Sequence, residues 1–122
     1  MKDPRVYLAH ILECIERIES YVAKGKDAFL AESIIQDAVI RNFEVIGEAT
    51  KRIPDTYRQA NPSIPWRSLA AFRDVLIHQY EGVNPLRVWH IVETDLQPLK
   101  AAIAALLPPL DQLERAISGE DS

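Results

Sequence analysis

The sequence predicts an all-α protein, an antiparallel four-helix bundle followed by a short C-terminal helix. Three observations predict it. Apolar residues recur at steps of three and four through four long stretches. No sustained period-two alternation competes, and there is no Asn-Gly or Asp-Gly hairpin signal. The links between the stretches are short and marked by proline and glycine, which favours antiparallel neighbours.

The first helix is expected to start at Asp3-Pro4, a capping carboxylate followed by a residue whose missing N–H costs nothing in the first turn. Leu8, Ile11, Ile15, Ile18 and Val22 form its inward stripe, and Gly25 supplies a stop. Residues Lys26 to Glu32 read as a connection. Ser33 and Gln36 then form a plausible capping box for a second helix running to about Arg52. Its expected seam is Ile35, Ala38, Asn42, Val45 and Ala49, so Asn42 requires a hydrogen-bond partner from another helix; an unpaired buried amide costs roughly 1–3 kcal/mol. Arg41, Glu44 and Glu48 lie on the flank, and Glu48 to Arg52 is a favourable i,i+4 pair.

Pro54 ends that helix, and Asp55 to Gln59 fits one short helical turn. Ser63-Ile64-Pro65 is expected to cap a third helix ending at Glu81 before Gly82, with Trp66, Leu69, Arg73, Leu76 and Tyr80 on one seam. Asn84-Pro85 repeats the cap-plus-proline start for a fourth helix, whose stripe is Trp89, Val92, Leu96, Leu99, Ile103 and Leu106. Pro98 removes the hydrogen bond to Thr94 and should bend it. Pro108-Pro109 ends it, and a short helix over about Leu110 to Ile117 precedes a loose acidic tail. We expect one domain over residues 1–118 and a disordered tail over 119–122.

A chain of 122 residues, 48% apolar and 26% charged, is large enough to bury a core. Leu99 to Leu107 is too short to span a bilayer and Met1 to Pro4 lacks a secretory apolar core, so a cytoplasmic protein without membrane association is expected. Cys14 is the single cysteine, with no partner at ligand spacing, and reads as a small helix residue. The net charge of −4 argues against a nucleic-acid coat. Between Arg41 and Arg73, however, six basic residues stand against three acids, giving +3 there and −7 elsewhere. An acidic chain can therefore present a local surface for phosphate, with Arg41 and Arg67 as candidate RNA contacts; a solvated mixture of charges is the plainer reading.

Polar chemistry concentrates in Arg73-Asp74-Val75-Leu76-Ile77-His78-Gln79-Tyr80. On a helix, Arg73 and Tyr80 share one direction, while Asp74 and His78 form a neighbouring i,i+4 pair in which the carboxylate can accept from a ring nitrogen. Arg73 and His78 project about 140° apart by the 3.6-residue period, so they meet through the length of arginine or across two subunits. A histidine able to move protons and a forked, permanently charged guanidinium suit RNA cleavage by attack of its own 2′-hydroxyl on the adjacent phosphate. That route needs no metal, and the sequence offers no clustered acids or histidines as metal ligands. On spacing alone, a core histidine and a salt-bridging arginine explain the same residues.

The arginine–polar–three residues–histidine–one residue–tyrosine pattern, Arg73-Asp74-Val-Leu-Ile-His78-Gln-Tyr80, resembles the signature of HEPN domains, specifically HepT-like toxins of HEPN/MNT toxin–antitoxin pairs. Arg41-Asn42-Phe-Glu44-Val-Ile-Gly47-Glu48-Ala and Gly82-Val-Asn84-Pro85 with Val88-Trp89 are similar to the flanking family segments, and the resemblance covers roughly Val6 to Leu107. It implies a HEPN-like bundle acting as a C2 homodimer, with the motifs lining an RNA cleft at the subunit interface. It implies a metal-independent endoribonuclease without a cofactor, the toxin of a type VII-like pair. Arg73 and His78 carry over as the catalytic pair, with Asp74, Asn42 and Glu48 supporting them. Tyr80 carries over as the residue that the MNT nucleotidyltransferase partner adenylylates, placing negative charge and bulk beside Arg73. The alternative is a non-catalytic helical module that binds a nucleotide or a partner protein. His10 and His90 read as structural, and Trp66 and Trp89 as packing anchors, with base stacking the other role open to Trp66.

Overall fold

The computed structural model describes residues 3–79 and 82–107 and is all-helical there, with no strand among the described residues. The expected helix over 110–117, the tail and Tyr80 lie outside the described residues. Helix α1 (Pro4–Tyr21) starts where the capping signal places it: Asp3 Oδ1 accepts from the Arg5 N–H at 2.9 Å, with Pro4 in the first turn. Leu8, Ile11, Ile15 and Ile18 are buried as the stripe predicts, joined by Cys14. Gly25, at φ +96, takes the left-handed conformation that ends this run and turns the chain.

The stretch expected to be a connection is instead a short helix, α2 (Lys26–Ala31). Six residues are too few to show a period, and α2 is anchored in the core by Phe29, which is fully buried with its ring 5.4 Å from that of Trp89. The capping box does not form. Glu32 occupies the cap position of α3 (Ser33–Arg52) without a side-chain bond, and Gln36 Nε2 donates to the Phe29 and Leu30 carbonyls at 3.0 and 3.2 Å, tying α2 to α3.

Helix α3 is the centre of the bundle, covered by α1 on one side and α5 on the other. Two neighbours widen and rotate its buried face. Val39, Phe43, Ile46 and Thr50 are buried with Asn42 and Ala49, while Ile35, Ala38 and Val45 of the expected seam are only half-buried. Ile53 and Pro54 end it. A short helix α4 (Asp55–Ala60) follows, as the local signals suggest. The loop to α5 (Trp66–His78) is closed by the Trp66 indole, which donates to the Arg58 and Asn61 carbonyls at 3.1 and 2.9 Å. Ser63 supplies no cap, since Pro65 takes that position, and α5 ends at His78 rather than Glu81.

Asn84 caps α6 (Pro85–Thr94) through a 2.9 Å bond from the Leu86 N–H. The expected bend at Pro98 is a break: α6 stops at Thr94, and after Asp95 the chain continues as α7 (Leu96–Ala105). Pro98 has no N–H for the Thr94 carbonyl, and the ladder is interrupted there. Val88, Val92, Leu96, Leu99 and Ile103 are buried, and α7 packs back on α1, where Lys100 Nζ pairs with Glu19 at 2.8 Å. No helix among the described residues is long and apolar enough to cross a membrane.

Candidate functional site: the α3–α5 contact and the end of α5

The site begins with a glycine. A Cβ at Gly47 would overlap Arg73 Cβ and lie 3.0 Å from both Arg73 Cγ and the Leu69 carbonyl oxygen. Gly47 therefore lets α3 and α5 approach until the stem of Arg73 lies directly over the α3 backbone. With the stem so placed, the guanidinium meets two carboxylates: Arg73 Nη2 lies 3.0 Å from Glu48 Oε2, and Nη1 lies 3.3 Å from Asp74 Oδ1. Its side chain keeps 26% of its surface exposed, so the cation is held and still open to solvent. Glu48 also receives Arg52 at 3.3 Å, the i,i+4 pair the sequence suggests.

Asp74 is occupied differently from the sequence expectation. Its carboxylate accepts from Lys51 Nζ at 2.6 Å across the α3–α5 contact, and it makes no hydrogen bond to His78. The Lys51 bond first, and Arg73 second, hold the Asp74 carboxyl below the usual carboxylate range. His78 instead uses Nδ1 toward the backbone carbonyl of Asp74, 2.7 Å away. A carbonyl oxygen only accepts, so Nδ1 carries a proton and Nε2 is left for proton exchange. The tautomer expected from an Asp74 carboxylate is thus fixed by the Asp74 main chain, because four-residue spacing puts that carbonyl within reach of the ring.

Within the chain, Arg73 and His78 are not joined. No hydrogen bond or ion pair connects them among the described residues, and His78 stands exposed at the helix end. Arg73 faces a cleft of about 730 Å³ between α1, α3 and α5, lined also by Arg41, Asn42, Glu48 and Arg52. Asn42 reaches this wall, but its partner is not another helix: Nδ2 donates to the Ala38 carbonyl of its own helix at 2.9 Å. The second lone pair of an in-register helix carbonyl satisfies the amide without a tertiary partner. Arg67 lies away from the cleft, in a separate hollow with Asp55, Arg58 and Asp74. Trp66 is 7% exposed with its indole N–H engaged, so it is a packing anchor with no free face for a base.

Two site residues escaped the sequence reading. Lys51 carries no spacing signal, since its partner is 23 positions away. His10, read as structural, is exposed on the cleft wall; its off-stripe place between Leu8 and Ile11 marks it as outward-facing, but only the packing of α1 on α3 brings it to the cleft that Arg73 also lines. Among the described residues, no three histidine, cysteine, aspartate or glutamate side chains converge as metal ligands would.

The family description "Ribonuclease HepT-like" matches residues 11–106. Among curated relatives, the chain is 44% identical over 112 residues to a Methanocaldococcus jannaschii protein named "Gamma-glutamylcyclotransferase and putative RNase", covering 91% of this chain and 50% of that protein. It thus spans half the length of that relative. It is 43% identical over 101 residues to the "Probable ribonuclease HepT" of Thermococcus cleftensis, covering 82% of this chain and 92% of the relative. A "Putative RNase" of Caldanaerobacter subterraneus subsp. tengcongensis is 36% identical over 108 residues, covering 88% and 96%. No solved structure matches. With the match spanning α1 to α7 and including the Arg73–His78 segment, the chain belongs to the HepT-like ribonuclease family.

Proposed function

We propose that this protein is an endoribonuclease that cuts RNA by internal 2′-hydroxyl attack, using Arg73 of one protomer with His78 of a second copy in a C2 dimer. His78 Nε2 takes the 2′-hydroxyl proton, the 2′-oxygen forms a bond to the adjacent phosphorus, and the P–O5′ bond breaks. The departing 5′-oxygen takes up a proton, leaving 2′,3′-cyclic phosphate and 5′-hydroxyl ends. Arg73 neutralises the charge that builds on the non-bridging oxygens as the phosphorane forms, the point at which preorganised charge contributes most. Family membership supports the substrate class. The observation that carries the mechanism is the split arrangement: a guanidinium fixed on α3 by Gly47 and Glu48, and a histidine with Nε2 open, set apart on one protomer.

The dimer has a local rationale, because Ile77, next to His78, is an apolar side chain left 39% exposed at the edge of the cleft. In this reading the chain acts in the cytoplasm as a type VII-like toxin, and an MNT nucleotidyltransferase silences it by adenylylating Tyr80, seven positions after Arg73 in the sequence. The competing reading, a non-catalytic nucleotide-binding or protein-docking module, draws on the same separation of Arg73 and His78. Incubating purified protein with RNA and identifying the new ends separates the two. Cyclic phosphate ends that vanish in both Arg73→Ala and His78→Ala support the nuclease, whereas equal cleavage by wild type and variants, or a strictly monomeric protein that still cuts, overturns this mechanism. Intact mass after co-expression with an MNT nucleotidyltransferase, where one is encoded beside this protein, reads the Tyr80 modification.

A further inference from the structure

The α1 wall of the cleft belongs to no part of the mechanism above. Four arginines line the cleft, Arg17, Arg41, Arg52 and Arg73, against two glutamates, Glu44 and Glu48, so its walls are net positive on a chain of net charge −4. A polyanion repelled by most of this surface is drawn to this one. The arginines differ in how they are held. Arg52 and Arg73 are gathered on Glu48, at 3.3 and 3.0 Å. Arg41 is 74% exposed with Glu44 only at 4.0 Å, and Arg17 is 51% exposed on a single surface pair with Glu13. Such exposed pairs contribute little and exchange readily for a phosphate. His10 makes no hydrogen bond among the described residues and faces the same space, in a position to lay its ring against a base.

We infer that His10 and Arg17 on α1, with Arg41 across the cleft, form a binding track for the single-stranded RNA that flanks the phosphate held by Arg73. This rests on the ribonuclease reading for the identity of the polyanion. Arg17 and Arg41 contact backbone phosphates, and His10 contacts a nucleobase. α1 is thereby a substrate-binding helix as well as a core helix: one face carries Leu8, Ile11 and Ile15 into the core while the other meets RNA.

Fluorescence anisotropy with a short, fully 2′-O-methylated RNA, which cannot attack its own phosphate, tests the track across a salt titration. Arg17→Ala should bind about fivefold more weakly at low salt, with the slope of log affinity against log salt shallower by about 0.7, the value for one lost single-strand phosphate contact. His10→Ala should weaken binding at every salt concentration without changing the slope. Arg17→Lys should restore the slope, which separates lost charge from lost folding. Wild-type affinity and slope in both alanine variants would overturn the track, as would a wild-type protein that binds no RNA. A parallel cleavage assay on unmodified RNA keeps the two ideas apart. If the wild type binds with these variant effects but cuts nothing, the nuclease reading fails and the track stands; if it cuts while the alanine variants bind normally, the reverse holds.

Discussion

The two halves of the α5 motif are built in opposite ways. Arg73 is over-determined: Gly47 admits its stem, Glu48 and Asp74 flank its guanidinium, and Lys51 secures Asp74 in turn. His78 sits five residues on at an exposed helix end, held by a single bond to a main-chain carbonyl. The difference matches what the proposed cleavage asks of each group. A cation that stabilises developing charge works best when fixed before the reaction, since reorienting it would cost part of what it contributes. A base that takes and returns a proton needs access, and its second nitrogen must stay open.

Removing the proposed base attacks the open half directly. His78→Ala should lower kcat/KM by about 10²- to 10⁴-fold, the usual contribution of a general base, with thermal stability unchanged because the side chain is exposed. A matching loss of stability would show that His78 is structural. The next largest effect falls on the fixed half. Gly47→Ala forces the new methyl into the Arg73 stem and should cost roughly 1–3 kcal/mol of stability, as overpacked contacts do. It should also lower cleavage by up to about 100-fold through displacement of the guanidinium. Denaturant unfolding measures the first and initial rates the second, and full activity in a folded variant would break the link between Gly47 and Arg73.

Lys51→Met is subtler. It leaves the Asp74 carboxylate to Arg73 alone, so Arg73 should turn further toward its own neighbour, and we expect about a threefold to tenfold loss in kcat/KM with KM nearly constant. A change confined to KM would make Lys51 an RNA contact rather than a positioning residue.

The smallest effect lies outside the motif, where α1 meets α7. Hydrogen bonds from Lys100 first, and Gln97, hold the Glu19 carboxyl below the ordinary glutamate range. A depressed folded pKa adds stability above the unfolded pKa, and that stability is lost as pH falls through the folded one. The melting temperature should therefore drop as pH is lowered into and below the carboxylate range, and Glu19→Gln should shrink that drop slightly. No change in the slope would mean that the α1–α7 pair adds nothing to folding.

Much of the helical frame was legible from short-range signals, and the departures share a cause. Asp3-Pro4 and Asn84-Pro85 start helices because capping acts over two or three residues and needs no tertiary partner. Ser33–Gln36 also fits a local rule, yet Gln36 is taken by the end of α2, a helix too short to reveal itself by period. The α3 seam was displaced by its two-sided packing, which one sequence stripe cannot report. Asn42 is the exception, since its partner is a carbonyl one turn back in its own helix, a local contact rather than a tertiary one.

For the candidate site, the sequence by itself determined which residues share α5 and in which directions they leave it, because helical geometry fixes angles over one or two turns. It thereby placed Arg73 and His78 on different faces, and it marked Glu48 as an arginine partner. Only the tertiary structure decided which partners close across the helices: Lys51 for the Asp74 carboxylate, Glu48 for Arg73, and His10 on the opposite wall of the cleft. Those contacts depend on how closely α3 approaches its neighbours, a distance set by a missing side chain at Gly47 and by packing along whole helices rather than by any local spacing.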